Sequence, residues 1–489
     1  MSVAPPLGDM SAEDFRRHGH EIIDWISNYL EQIEKLPVLA QVAPGDLRAQ
    51  LPPSPPARGE AMEEILVDVE RLVVPALTHW NHPAFFAYFS ISASAPGIFG
   101  ELLASAFNVN GMLWRTSPAS TEMETLALSW LREMMGLPAA FEGIIYDTAS
   151  VSTMHAIAAA REALDLGVRE MGMSGRGDLP LLRVYASEQS HSSVDKSVIT
   201  LGLGQRALRK IPTDAAFRMD AAALAEAIAE DKRAGAVPFC VVATVGTTST
   251  TSIDPVPAIA NICEQHNLWL HVDAAYGGSA AVVPELRHIL TGCERADSLV
   301  TNPHKWLFTP IDLSVLYSRR MEVLRRAFSL VPEYLRTGEG ETVTNQMDYG
   351  IQLGRRFRSL KLWMVMRYFG HDGLAARIRE HCRLAQLFAT LIKESPLWEL
   401  LAPHPLSTVC FRARPPLEGA TTETEEARAA RLDVFNEELM NRVNATGEVF
   451  LSHTKLRGAL ALRLAIGNIR TDESHIRRTW ELLNEKLKM

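Results

Sequence analysis

Cysteine is scarce in this chain, and the few that are present argue against two kinds of site. Five cysteines are scattered through 489 residues, and no two of them form a CxxC pair. An odd number of isolated thiols does not suit a disulfide framework, and cysteine-based zinc sites use closely spaced pairs. We therefore expect reduced thiols, as in a cytoplasmic protein, and no metal centre.

Long apolar runs and an excess of positive charge are also missing. No apolar stretch approaches membrane-spanning length, and the first residues lack the basic and apolar regions of a signal peptide. Acidic residues outnumber basic ones by 58 to 49, which gives a net charge of -9. Such a balance argues against a nucleic-acid surface or a polybasic membrane patch. The sequence predicts a cytoplasmic enzyme that acts on a small molecule, without a nucleic-acid or membrane partner.

The first hundred residues are predicted to form a helical segment. Apolar residues recur at helical spacing over 11–36, and a second helix is predicted at about 60–77. The proline-rich run at 51–56 can continue neither a helix nor a central strand, so we predict an extended linker there. The segment has many apolar positions for its size, which indicates that it packs on something else, such as a second subunit.

From about residue 120 onward, predicted strands and helices alternate, as in a mostly parallel α/β sheet. After about residue 355 the chain is predicted to be helical again, followed by a smaller α+β unit, and Glu418 to Arg428 predict an exposed loop. The predicted strands cover 181–186, 239–245, 268–272, 298–301, 313–317, 407–411 and 459–464, and the predicted helices cover 122–135, 150–166, 221–232, 359–369 and 373–395.

Polar side chains follow four of the predicted strands. In an open α/β sheet, ligands bind beyond the carboxyl ends of the strands, so these side chains are expected at one edge. In chain order they are His191 after strand 181–186, Thr248 after strand 239–245, Asp273 after strand 268–272, and Asn302, His304 and Lys305 after strand 298–301.

Lys305 and Asp273 together point to one chemistry. A lysine desolvated beside Trp306 can be depressed in pKa and hold an aldehyde cofactor as a Schiff base. A buried carboxylate needs a cationic partner, and a protonated pyridine ring supplies one. The pattern therefore predicts pyridoxal 5'-phosphate (PLP). Taken singly, Lys305 could be a surface lysine, Asp273 a turn cap and His191 a loop histidine.

A phosphate site is predicted where the apolar residues 144–146 give way to helix 150–166. Backbone amides at a helix start bind anions, and the hydroxyls of Thr148 and Ser150 are close by. Ser150 could also be a simple N-cap, and both interpretations can hold at once. His79 and His82 are spaced like metal ligands but lack an acidic or cysteine partner, so no metal role is predicted.

Several motifs carry a resemblance to a known family. The chain resembles the group II PLP-dependent amino-acid decarboxylases, and most closely the aromatic-L-amino-acid decarboxylases, over nearly its full length. The motifs are Trp80-Asn81-His82-Pro83, Ser117 to Glu122, Gln189 to Ser193, Ala243 to Thr248, His271-Val272-Asp273-Ala274-Ala275-Tyr276, Asn302-Pro303-His304-Lys305-Trp306 and Leu353 to Lys361.

The resemblance implies PLP fold type I, which is aspartate-aminotransferase-like. This α/β fold has a mostly parallel seven-stranded sheet with helices on both faces. The resemblance also implies a homodimer with active sites at the subunit interface. It further implies an N-terminal helical segment (1–100) that wraps the partner subunit, a large PLP-binding domain (101–358) and a small C-terminal α+β domain (359–489).

The resemblance also assigns roles to individual residues. Lys305 would form the Schiff base, Asp273 would pair with the pyridine nitrogen, and His191 would stack on the ring. Tyr334 or His191 would return a proton to the substrate carbon, and a tyrosine at position 334 favours a decarboxylase over an aldehyde synthase. The other cofactor contacts would be Thr248 and Ala275 at the ring, and Thr148, Ala149, Ser150, Asn302 and His304 at the phosphate, with Gly354 from the other subunit.

The expected substrate is an aromatic L-amino acid. No arginine is clearly placed to bind a second carboxylate, which disfavours glutamate or aspartate. Three alternatives remain: an oxygen-using aromatic aldehyde synthase, a decarboxylase of a non-aromatic amino acid, and a non-catalytic PLP-binding dimer. Two departures bear on the substrate: the segment Tyr146 to Val151 lacks the usual glycine-rich turn and acidic residue, and Ile91 replaces a usual threonine. The predicted substrate wall comprises Trp80, Phe85, Phe86, Tyr88, Phe89, Ile91 and Trp114.

Overall fold

The protein is built around a seven-stranded sheet, as seen in a computed structural model that describes residues 8–330, 343–416 and 424–488. The strand order is β1-β7-β6-β5-β4-β2-β3, and only β7 runs antiparallel to its neighbours. The mostly parallel sheet is therefore confirmed. Its strands are β1 (Glu142–Tyr146), β2 (Leu182–Ser187), β3 (Leu208–Ile211), β4 (Val237–Thr244), β5 (Trp269–Asp273), β6 (Ser298–Thr301) and β7 (Ser314–Ser318).

Both faces of this sheet are buried. Val241 and Ala243 of β4 pack into one apolar cluster, whereas Cys240 and Val242 pack into another on the opposite face. A strand covered on both sides has a continuous apolar sequence, which is why β4 could be predicted. β3 was not predicted, because its sequence carries two basic residues among two apolar ones.

The α-helices flank the sheet and form the two ends of the chain. They are α1 (Ala12–Gln32), α2 (Asp46–Gln50), α3 (Met62–Asp68), α4 (Ala95–Phe107), α5 (Pro118–Met135), α6 (Ala149–Glu162), α7 (Val168–Met171), α8 (Ser193–Thr200), α9 (Ala221–Arg233), α10 (Val256–His266), α11 (Pro303–Trp306), α12 (Met321–Phe328), α13 (Ser359–Glu394), α14 (Glu425–Asn444) and α15 (Glu473–Leu487). No helix among the described residues is long and apolar enough to cross a membrane.

The predicted N-terminal helices are confirmed with one difference. α1 begins after Ser11, whose hydroxyl accepts a hydrogen bond from the backbone N–H of Asp14. The helix predicted over 60–77 is α-helical only over α3, and it continues as a π-type turn (Val69–Val73) and a 3-10 turn (Val74–Ala76). Pro75 lacks a backbone N–H and therefore cannot continue the α-helical hydrogen bonding.

A second sheet of four antiparallel strands follows the long helix α13. Its order is β10-β11-β9-β8, from β8 (Trp398–Leu400), β9 (Thr408–Ala413), β10 (Ser452–Leu456) and β11 (Ala459–Ala465). α13 joins both helices predicted over 359–395 and bends at Gly370, where φ is 64°. The predicted loop from Glu418 to Arg428 is wrong in its last part, because Thr424 caps α14 by accepting from the Ala427 N–H. Residues 417–423 lie outside the described part of the chain.

Candidate active site

A cavity of about 530 Å³ opens at the carboxyl ends of the parallel strands. Fourteen of the predicted site residues line it, so chain segments far apart in sequence are brought together as expected. They are Trp80, Tyr88, Phe89, Ile91, Thr148, Ala149, Ser150, His191, Thr248, Asp273, Ala275, Asn302, His304 and Lys305.

Lys305 lies in α11, directly after β6, and its amine is surrounded by protein. Its Nζ is 5.1 Å from the centroid of the Phe89 ring. Desolvation lowers the pKa of Lys305; the charge of Asp273 opposes this shift, and that of Arg463 adds to it. A lowered pKa leaves more of the amine neutral, which is the form that can attack an aldehyde.

Asp273 is the last residue of β5 and is 5% exposed. Its Oδ1 accepts a hydrogen bond from the Ala275 backbone N–H at 3.1 Å. The bond fixes the carboxylate at the strand end and leaves Oδ2 for another donor. A buried carboxylate in this position suits a cationic ring N–H.

His191 lies in the turn between β2 and α8. Its Nδ1 accepts a hydrogen bond from the Ser193 backbone N–H at 3.1 Å, so the neutral ring carries its proton on Nε2. Partial burial lowers the pKa of His191, the charge of Asp273 raises it, and the charge of Lys305 lowers it. His191, Asp273 and Lys305 are therefore close enough to influence one another electrostatically.

The cavity also contains buried polar atoms without protein partners. Asn302 Oδ1, directly before α11, accepts no hydrogen bond among the described residues, and Thr244 Oγ1, at the end of β4 beside Asp273, makes none there either. His304 Nδ1 accepts from the Leu313 backbone N–H at 2.9 Å, and burial lowers the pKa of His304 to about 3. The start of α6 supplies backbone N–H groups, and Thr148 and Ser150 supply hydroxyl donors, so this side of the cavity fits a bound phosphorylated group.

The unusual Asp147 does not point its charge into this cavity. Its Oδ1 lies 2.6 Å from Arg358 Nη2, and its Oδ2 accepts from Gln352 Nε2 at 2.9 Å. Val151, the other departure in this segment, packs against the apolar cluster on one face of the sheet. Both substitutions are thus accommodated outside the cavity.

Arg463 is a cavity residue that could not be predicted from the sequence motifs. It is 3% exposed, its Nε donates to the Ser249 carbonyl at 3.1 Å, and its Nη1 donates to the Tyr88 carbonyl. Its Nη2 has no partner among the described residues. The available signal was a single arginine within the otherwise apolar β11.

Several predicted residues lie elsewhere. Phe85 and Phe86 are fully buried in the core rather than lining the cavity, and Phe85 packs beneath Trp80 with ring centroids 4.3 Å apart. Trp114 is also outside this cavity, with its indole N–H bonded to Glu122 at 2.9 Å. Gly354 is exposed and does not line the cavity of its own chain, so its contribution to a partner stays a prediction.

Two further predictions concern residues outside the cavity. Tyr334 lies outside the described residues. His79 and His82 are structural: His79 Nδ1 lies 2.8 Å from the Tyr29 hydroxyl, and His82 Nδ1 accepts from the Ala84 backbone N–H at 3.0 Å. The five cysteines are all free.

Comparison with known proteins identifies the family of this chain. Residues 44–414 match the model described as the pyridoxal-dependent decarboxylase conserved domain. This chain belongs to the pyridoxal-dependent decarboxylase family. The decarboxylase is 41% identical over 485 residues to the aromatic-L-amino-acid decarboxylase of Sus scrofa, covering 96% of each protein. It is 38% identical over 490 residues to the phenylacetaldehyde synthase of Arabidopsis thaliana, covering 98% of this chain and 97% of the relative.

A solved structure extends the match to three dimensions. The decarboxylase superposes on Oryza sativa TDC, crystallised with PLP and tryptamine, with a TM-score of 0.93, 40% identity and 99% coverage of both chains. The family establishes PLP as the cofactor and amino-acid decarboxylation as the class of reaction. The desolvated Lys305, the buried Asp273 and the helix start at Thr148 to Ser150 fit that cofactor.

Proposed function

We propose that this decarboxylase converts an aromatic L-amino acid into the corresponding amine and carbon dioxide. The observation that carries the proposal is the wall of Trp80, Tyr88, Phe89 and Ile91 in the same cavity as Lys305. Ile311 adds a further apolar side chain to this wall. Such a lining favours a flat apolar side chain. The similarity to an aromatic-L-amino-acid decarboxylase and to a structure with tryptamine supports the same substrate class.

The cofactor, when bound, supplies an electron-withdrawing ring that accepts the electron pair left when the carboxylate departs. We assign Lys305 to hold its aldehyde carbon and Asp273 to hold a proton at its ring nitrogen. His191 would stack on the ring, with Thr248 and Ala275 as further ring contacts. At the phosphate, the proposed contacts are Thr148, Ala149, Ser150, Asn302 and His304.

Arg463 is assigned to the α-carboxylate of the substrate. Its guanidinium carbon lies 4.6 Å from the centroid of the Phe89 ring, the same ring that Lys305 Nζ approaches to 5.1 Å. Both cationic groups therefore contact the same ring, so the unpaired Nη2 lies in the same part of the cavity as Lys305. A guanidinium N–H can hold a carboxylate there while the apolar wall takes the side chain.

The proposal includes a homodimer located in the cytoplasm. α4 exposes Phe99, Leu102 and Phe107 by 47%, 54% and 56%, which is unusual for neighbouring large apolar side chains on a free surface. A second subunit that covers this face would bury them, and it would also allow Gly354 to reach the partner's cavity. The five free cysteines are in keeping with a reducing compartment.

A second candidate is an aldehyde synthase that consumes oxygen. The 38% identity to phenylacetaldehyde synthase favours it as the alternative. By resemblance to the aromatic-amino-acid decarboxylases, a tyrosine at position 334 favours simple decarboxylation, and we assign that role to Tyr334 as a proposal. The two activities differ in their products, because a decarboxylase releases the amine whereas the synthase releases aldehyde, ammonia and peroxide.

The test is carbon dioxide release by the PLP-loaded protein with tryptophan, 5-hydroxytryptophan, tyrosine, dihydroxyphenylalanine, phenylalanine, glutamate and aspartate. We expect release from an aromatic acid, matched one to one by amine. Peroxide and ammonia in place of the amine would support the synthase. Release from glutamate or aspartate alone would overturn the aromatic assignment, and cofactor binding without any release would support the non-catalytic alternative.

A further inference from the structure

Asp147, Arg358 and Asp312 form an ion-pair cluster next to the proposed phosphate site. Arg358 Nη2 lies 2.6 Å from Asp147 Oδ1. On the other side, Arg358 Nε donates to Asp312 Oδ1 at 2.9 Å, and Nη2 donates to Asp312 Oδ2 at 3.3 Å. One guanidinium therefore bridges two carboxylates, neither of which lines the cavity.

Each carboxylate is attached to a different wall of the cavity. Asp147 immediately precedes Thr148, the first of three consecutive cavity residues. Asp312 lies between Ile311, which lines the cavity, and Leu313, whose backbone N–H donates to His304 at 2.9 Å. The bridge thus joins the start of α6 to the segment that orients His304.

The cluster is partly buried. The Arg358 side chain is only 15% exposed, and the residue directly precedes α13, so its backbone is anchored. Burial alone would raise the pKa of Asp312, but hydrogen bonding to Arg358 holds it below its usual value. A half-buried, two-armed arginine pair is more rigid than a surface ion pair.

We infer that Arg358 is a positioning residue for the cofactor phosphate. By bridging Asp147 and Asp312, it sets the distance between the two segments that would hold the phosphate. The inference rests on the proposed function, because it assumes that phosphate binds at Thr148 to Ser150 and at His304. Asp147 stands where the related enzymes usually have a glycine-rich turn, so this arm of the bridge distinguishes the present chain.

The test compares two cofactor forms in the full-length apoprotein. The dissociation constants of PLP and of pyridoxal, which lacks the phosphate, are measured from the absorbance of the Lys305-bound form. Arg358→Lys keeps the charge but cannot span both carboxylates. We expect about tenfold weaker PLP binding in this variant, as for the loss of one charge-assisted hydrogen bond. Pyridoxal binding should change much less.

Arg183→Lys is the matched control. Arg183 is a partly buried arginine whose Nε lies 3.1 Å from Asp231 Oδ1, and neither residue lines the cavity. The Arg183→Lys variant should leave the ratio of the PLP and pyridoxal dissociation constants unchanged. An unchanged ratio in Arg358→Lys, or an equal loss for both cofactor forms, would overturn the positioning role.

Asp147→Asn is a second variant that removes one arm and keeps the side-chain shape. We expect it to weaken PLP selectively. Tighter PLP binding would also overturn the inference, because it would mean that Asp147 acts on the phosphate only through its charge. A wild-type apoprotein that binds neither PLP nor pyridoxal through Lys305 would instead refute the proposed function.

Discussion

Replacing Asp273 by asparagine should separate cofactor capture from decarboxylation. Asp273 Oδ1 already accepts from the Ala275 N–H at 3.1 Å, and an asparagine oxygen can keep that bond. The asparagine amide would then direct N–H donors, not an acceptor, towards the proposed ring-nitrogen position. The proton on that nitrogen would lose its partner, so the ring would draw electrons less strongly.

The size of the effect follows from the burial of this group. A hydrogen bond to a charged partner in a buried site contributes about 1.5–3 kcal/mol, and each 1.36 kcal/mol in the barrier is about tenfold in rate. We therefore expect carbon dioxide release to fall by about ten- to a hundredfold. Lys305 should still bind PLP, since Asp273 opposes the lowering of the lysine pKa and its removal leaves the amine more readily neutral.

The assay measures bound cofactor by absorbance and carbon dioxide release in the same sample. Asp231→Asn is the matched control, because Asp231 is 4% exposed and bonded to the Tyr185 hydroxyl at 2.9 Å but does not line the cavity. It should keep both properties. Release within about threefold of the wild type in Asp273→Asn, a change of under about 1 kcal/mol, would refute the assigned role.

Three further changes test other parts of the structure. Arg463→Lys should raise KM for the amino acid about tenfold, because a charge-assisted hydrogen bond to the carboxylate is lost. The product amine lacks a carboxylate, so its inhibition constant should stay the same, and equal weakening of both ligands would contradict the assignment. Trp306→Phe removes the indole N–H that donates to His381 at 2.9 Å. Chemical denaturation should therefore show a free energy of unfolding lower by about 1–3 kcal/mol, and an unchanged value would argue against that bond. Burial raises the pKa of Asp254 to about 6, so its contribution to stability is full below about pH 4 and is lost as the pH rises through about 6. Relative to Asp254→Asn, the wild type should lose about 3 kcal/mol between these limits, and a constant difference in unfolding free energy would exclude the shift.

The parts of the site that could be predicted share one property: they directly follow continuous apolar strands. Asp273 and Lys305 come after β5 and β6, and the rule that ligands bind at the carboxyl ends of parallel strands placed both in one cavity. The strands themselves were predictable because both faces of the sheet are covered. The family motifs added specificity that neither residue carries alone.

The parts that could not be predicted depend on long-range packing. The direction of Phe85 is set by the apolar cluster around Phe86 and Phe450, which local sequence does not reveal, so its assignment to the substrate wall was wrong. Arg463 enters the cavity because the second sheet contacts the loop that follows β4, where Ser249 bonds to Arg463, Cys410 and Thr454. The start of α14 could not be predicted because acidic residues are typical both of the first turn of a capped helix and of an exposed loop.

The cavity wall draws on residues from Trp80 to Arg463, and this span has a consequence for biosynthesis. The N-terminal part of a chain leaves the ribosome first, so Lys305 emerges well before β11 has been synthesised. Until β11 is in place, Arg463 is absent from the wall and the pocket stays open to water on that side. The cofactor can therefore be enclosed only late in synthesis, and a chain truncated before β11 would carry the reactive lysine without the wall that shields it.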